Sequence, residues 1–111
     1  MTRPPFEVRL TRGAESDLEK LHDYLAEQGL PEAADTLLES VLDRVESLER
    51  FPNRGSVPKE LAGLGIRSFR QLVLSPYRII YRVIGREVFI LVVADGRRDM
   101  QALLERRLLE G

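Results

Sequence analysis

The sequence predicts an α+β fold of order β-α-α-β-β-β with a short C-terminal helix, in which a helical hairpin packs on one face of a small antiparallel sheet. Three observations carry this expectation. Phe6-Glu7-Val8-Arg9-Leu10 alternates apolar and polar residues, as a half-buried strand does. Two successive segments then repeat apolar residues at helical spacing. Beyond residue 65 the period becomes extended again, broken only by short turn signals.

Each element has its own local cause. Thr11 is placed to cap the first helix, and Glu15 and Asp17 suit the positive end of its dipole. Ala14, Leu18, Leu21 and Leu25 form its apolar stripe. Gly29 supplies the conformational freedom that ends it, and Pro31 fits the first turn of the next helix. That second helix carries Ala34, Leu37, Leu38, Val41, Val45 and Leu48 on one stripe, over about 20 residues or roughly 30 Å. Phe51-Pro52-Asn53-Arg54-Gly55 stops it, and residues 55–65, with Pro58, Gly63 and Gly65, read as a connecting loop.

Residues 66–74, 77–84 and 88–94 follow as three antiparallel strands, separated by Ser75-Pro76 and by the short connection Gly85-Arg86. Asp95-Gly96 breaks the last strand, and Met100, Leu103, Leu104 and Leu108 suggest the terminal helix. Alternation in the middle strand puts Tyr77, Ile79, Tyr81 and Val83 on one face and Arg78, Ile80, Arg82 and Ile84 on the other. The hairpin is expected to cover the tyrosine face and to leave the arginine face open. Arg78 and Arg82, about 13 Å apart, would then meet an acidic partner or phosphate groups. The alternative is a pair of ion pairs to acidic side chains of the chain's own terminal segment.

Charge is divided unevenly along the 111 residues. Residues 1–65 hold 8 basic and 13 acidic side chains, and residues 66–111 hold 9 basic and 5 acidic ones. All basic residues of the second part are arginine, which suits planar anions, although the chain as a whole has 15 arginines and two lysines. With no cysteine, thiolate metal sites, thiol nucleophiles and disulfides are excluded. The longest apolar run covers residues 88–94, far short of the roughly 20 needed to span a bilayer, and the first residues lack the apolar core of a secretion signal. A single cytoplasmic domain over residues 1–111, without a membrane partner, is the expectation.

Chemistry-bearing constellations are sparse. The single histidine, His22, stands beside the apolar stripe of the first helix, which fits a partly buried structural role better than catalysis. The helical carboxylates recur at the spacings of a solvated helix face. Neither a P-loop nor a G-x-G-x-x-G segment occurs. No metal or cofactor is expected.

The order and spacing of five segments resemble the RelE/ParE superfamily of type II toxin-antitoxin toxins. These are Val8-Arg9-Leu10-Thr11 with Ala14-Glu15-x-Asp17-Leu18; Leu48-x-x-Phe51-Pro52-x-x-Gly55; Gly65-Ile66-Arg67; residues 76–83; and Gly96-Arg97-Arg98-Asp99. The resemblance covers about residues 6–104 and implies the same order of elements.

Two branches of that superfamily imply different activities. RelE-like toxins cut messenger RNA on the ribosome with basic residues on the open sheet face and a tyrosine or histidine near the C-terminus, whereas ParE-like toxins poison DNA gyrase. Arg78 and one of Arg97 and Arg98 match basic positions of the nuclease branch. No tyrosine, histidine or lysine follows Tyr81, however, and the long helical hairpin with Phe51-Pro52-x-x-Gly55 looks more like the ParE branch. Asp95 stands where many relatives have histidine.

The resemblance therefore implies a ParE-like gyrase inhibitor that is not an enzyme and is held by a ParD-like antitoxin, with no direct nucleic-acid binding. Arg67, Arg70, Arg78, Arg82, Arg97 and Arg98 are the expected binding residues for antitoxin or target. The alternatives are a RelE-like endoribonuclease, using Arg78, Tyr81 and Arg97 or Arg98, and a non-toxic module that only binds an antitoxin.

Overall fold

A computed structural model describes residues 5–110. Strand β1 (Glu7–Leu10) leads into helix α1 (Arg12–Glu27), and α2 (Pro31–Glu46) returns antiparallel to it. A 3₁₀ turn over Ser47–Glu49 carries the second stripe on to Leu48. Strands β2 (Arg70–Leu74), β3 (Tyr77–Ile84) and β4 (Glu87–Asp95) precede α4 (Met100–Leu104), which runs on as a π-helical turn over Glu105–Leu109.

Local signals act as their chemistry requires at most boundaries. The Thr11 hydroxyl accepts the Ala14 N–H at 3.2 Å and donates to the Ile90 carbonyl at 2.9 Å, so one side chain caps α1 and ties it to the sheet. Gly29 closes the helix in the left-handed region at φ 77°. Two sequence expectations change. Residues 59–62 of the expected loop form a one-turn helix, α3 (Lys59–Ala62), because Leu61 is drawn into the core. The second strand begins at Arg70 rather than 66, since Ile66 and Phe69 turn towards the same cluster as Leu61.

The sheet order is β1-β4-β3-β2. The last three strands are antiparallel as their hairpin connections demand, while β1 joins β4 in parallel, Val8 lying opposite Val88. A parallel partner follows from the odd passage of chain: the hairpin crosses over one face before the sheet is entered again.

Alternation also fails once. Ile80 faces Val92 but Tyr81 faces Ile90, leaving Leu91 as an extra residue in β4. Val88, Ile90 and Val93 therefore point to the helical hairpin, and Val92 and Ala94 point to the opposite face.

Each sheet face has its own core. The hairpin stripe, with Ala14, Leu18, Leu37, Val41, Val45 and Leu48, packs on Leu72, Ile79 and Tyr81. Tyr81 is fully buried; its hydroxyl donates to the Pro52 carbonyl at 2.8 Å and accepts the Gly55 N–H at 3.0 Å. A Cβ on residue 55 would stand 2.7 Å from that hydroxyl and 2.5 Å from the Gln71 carbonyl, so Phe51-Pro52-x-x-Gly55 is a socket for Tyr81.

The opposite face is covered rather than open, which corrects the expectation for the arginine face. Leu61 from α3 and Met100, Leu103 and Leu104 from α4 pack on Ile80, Val92 and Ala94. Burying each such side chain contributes roughly 1.5–3 kcal/mol. That gain outweighs leaving the neighbouring arginines in water, provided each enclosed guanidinium finds a partner.

The C-terminal cover is fastened at the free edge of β4, beyond the end of β1. Asp17 of α1 accepts the Val93 N–H at 3.0 Å, and Arg107 donates to the Leu91 carbonyl at 2.9 Å. The two side chains meet in a bidentate pair at 2.9 and 3.1 Å.

Candidate partner-binding surface

The six arginines singled out by sequence separate into three groups. Arg78 lies inside the cover: its guanidinium grips both Glu60 carboxylate oxygens at 2.8 and 2.9 Å, and its Nε donates to Gln71 Oε1 at 2.7 Å. The side chains of Arg78 and Glu60 are only 12% and 9% exposed. The hydrogen bond from Arg78 holds the Glu60 carboxyl below its ordinary range. Arg78 does find an acidic partner within the chain, but on α3 rather than in the terminal segment. Arg70 is also structural, donating to the carbonyls of Asn53 at 3.2 Å and Gly55 at 2.7 Å.

Arg97 forms an exposed pair with Asp95, Nη2 to Oδ2 at 2.6 Å, and that hydrogen bond lowers the Asp95 carboxyl to about 2. Arg67, Arg82 and Arg98 are exposed. Among the described residues, the side chains of Arg67 and Arg98 make no hydrogen bond, ion pair or ring contact.

Arg82 marks the part of the sheet face that α4 does not reach. Its guanidinium sits 5.5 Å from the centre of the Phe69 ring, a cation–π distance. Phe69, Arg82, Ile84, Phe89, Leu91, Arg107 and Leu108 line a groove of about 290 Å³ there. Ile84, at the hairpin end, is 52% exposed. An apolar floor edged by guanidinium groups suits an acidic segment with apolar side chains on one face.

The residues available for proton transfer are tied into the structure or lie elsewhere. Tyr81, the tyrosine of the nuclease alternative, is buried on the hairpin side, and burial raises its hydroxyl above the ordinary 10. Asp99 caps α4 by accepting the Ala102 N–H, and Glu105 accepts from Gln101. His22 pairs with Asp35 of α2 at 2.9 Å, on the helical hairpin.

Sequence reading missed Gly13, Asp17 and Arg107 as a set. A Cβ at position 13 would stand 2.6 Å from Arg107 Nη2, so this glycine makes room for the clamp. Glycine one residue into a helix, where alanine is about 1 kcal/mol better, was the available signal of a close approach. Nothing in the spacing of residues 17 and 107 announces their pairing.

A family model described as the ParE toxin of type II toxin-antitoxin system, parDE, matches residues 8–100. Toxin ParE3 of Caulobacter vibrioides is 28% identical over 97 residues, which cover 87% of this chain and 93% of that protein. Among solved structures, the chromosomal ParDE system from P. aeruginosa superposes with a TM-score of 0.68 at 24% identity, covering 84% of this chain and 98% of the other. The toxin-antitoxin complex RelBE2 from Mycobacterium tuberculosis gives 0.60 at 25% identity, covering 82% and 98%.

Proposed function

The chain belongs to the ParE toxin family of type II toxin-antitoxin systems, and on that premise we propose that it acts in the cytoplasm as a single toxin domain that inhibits DNA gyrase by binding. A ParD-like antitoxin neutralises it. The observation that carries this reading over RNA cleavage is the state of the would-be catalytic groups. Cleavage through a 2′ hydroxyl needs a proton acceptor, a proton donor and positive charge at one phosphate. Arginine supplies only the charge, being protonated at any physiological pH. Tyr81 is enclosed by the hairpin core, Asp95 is held near 2 by Arg97, and Arg78 is sealed against Glu60.

In this reading the antitoxin lays an acidic, amphipathic segment into the groove between Phe69, Arg82, Ile84 and Leu108. The neighbouring structures include toxin-antitoxin assemblies, which supports a partner of this kind. Arg67 and Arg98, exposed and without a side-chain hydrogen bond or ion pair among the described residues, are further cations open to an acidic partner.

The test uses one preparation freed of antitoxin in two assays. Supercoiling by gyrase is expected to stop, and messenger RNA on translating ribosomes is expected to remain whole. Codon-positioned cleavage with normal supercoiling would establish the nuclease instead, and inactivity in both would leave a module that only binds an antitoxin.

A further inference from the structure

A second groove, on the opposite side of the molecule, has the reverse electrostatics. It lies at the flank of the helical hairpin beside the end of β1, with a volume of about 380 Å³, and is lined by Leu10, Leu18, Leu38, Leu42, Glu15, Glu19, His22 and Asp23. Its floor is apolar, and Leu42, 44% exposed, stands at its rim. Glu15, Glu19 and Asp23 follow at four-residue intervals and so form one row along α1. Among the described residues, neither Glu15 nor Glu19 has a side-chain partner. Residues 12–46 carry ten acidic side chains against three basic ones, so the field around the groove is strongly negative.

We propose that this groove docks a basic amphipathic helix of a partner protein, with apolar side chains on Leu38 and Leu42 over the buried Leu18 and lysine or arginine side chains against the Glu15–Glu19–Asp23 row. Charge complementarity selects the occupant. An acidic segment of the kind that suits the arginine-edged groove is repelled here by the carboxylate row, in which Glu15 and Glu19 have no side-chain partner among the described residues. A second copy of this chain is a poor fit, because its own basic, leucine-bearing segment, residues 105–109, has Arg107 already committed to Asp17. The docking mode is that of a helix in a groove, with anchors at i, i+3 or i+4 and i+7. Because the two grooves flank opposite faces of the sheet, binding at one leaves the other unobstructed. The inference holds whether the toxin's target is gyrase or the ribosome.

A synthetic peptide of about 18 residues serves as probe, with leucine at i, i+3, i+4 and i+7 and lysine elsewhere, beside a control in which glutamate replaces every lysine. Calorimetry and amide chemical shifts are recorded on the full chain. The lysine peptide is expected to bind at micromolar strength and to shift the signals of Leu10, Leu18, Leu38 and Leu42, while the glutamate peptide leaves them unmoved. L42S is expected to weaken binding about tenfold and E15K/E19K to abolish it. Both exchange exposed side chains, and an unchanged melting temperature checks that the fold is kept. Equal affinity for L42S, or shifts centred on Phe69 and Arg82, would overturn the assignment. A concentration-dependent dimer of the wild-type chain that L42S dissolves would assign the groove to a second copy and overturn it equally.

Discussion

Asp17 and Arg107, 90 residues apart in sequence, meet side by side and each also holds one backbone group of β4. The pair thus does the work of a further strand at a sheet edge where β1 has already ended. Its members are 17% and 26% exposed, so the pair lies between the weak surface case and the fully desolvated one. Arg107→Met is expected to cost about 2 kcal/mol and to loosen the terminal cover. Urea unfolding measures the first effect and amide exchange at residues 100–109 the second. A loss below about 0.5 kcal/mol would show that apolar packing alone holds the cover.

Gly13 gives a sharper test because its effect should change sign. Alanine favours a helix by about 1 kcal/mol over glycine, yet here its Cβ would collide with the Arg107 guanidinium. Gly13→Ala is expected to destabilise the wild type and to stabilise the Arg107→Met variant. The same sign in both backgrounds would mean that Arg107 moves aside without cost.

Arg78 and Arg82 stand four residues apart on the same face of one strand and should behave differently. Arg78→Gln leaves Glu60 enclosed without its cation and is expected to cost about 3 kcal/mol, whereas Arg82→Gln should stay within about 0.5 kcal/mol. Weaker antitoxin binding is expected for Arg82→Gln. Thermal melting with calorimetry separates the two roles.

The same ion pair carries a pH signature. Glu60 has its carboxyl lowered from 4.5 by the Arg78 hydrogen bond, so its contribution is present above pH 4.5 and is lost as the pH falls through the lowered native value. Glu60→Gln is expected to flatten that part of the acid denaturation curve. Unchanged acid sensitivity would place its origin in other carboxylates.

His22 should show the opposite sign. The Asp35 hydrogen bond raises its imidazole above 6.5, with Asp23 at 3.8 Å adding to it. The stabilisation is therefore complete below pH 6.5 and disappears as the pH rises through the raised value. As the single histidine it gives a clean NMR titration, and Asp35→Asn is expected to bring the midpoint down. A midpoint indifferent to that change would remove Asp35 as the cause.

Short-range chemistry made much of this fold legible. The Thr11 cap, the stripes of α1 and α2 and the Gly85 turn are all decided by neighbours within a few residues. Illegible features depend on partners far along the chain. Periodicity cannot announce the extra residue at Leu91, so strict alternation sends Val92 and Ala94 to the wrong face. The arginine pattern of β3 is real, but α3 and α4 decide which arginine meets water: Arg78 lies beneath them and Arg82 beyond them. Family resemblance supplied what composition did not, and it did so through segments such as Phe51-Pro52-x-x-Gly55, whose purpose is to hold Tyr81.

The parallel seam between β1 and β4 also sets an order of assembly. Glu7 lies opposite Glu87, so β1 cannot pair until β4, far along the chain, has been made. Until then the hairpin has no complete sheet to rest on, and the floor of the arginine-edged groove, which needs Phe89 and Leu91, does not exist. A chain made only as far as the hairpin therefore exposes those helices before it can present that groove, whose lining is complete only once β4 and residues 107 and 108 have been added.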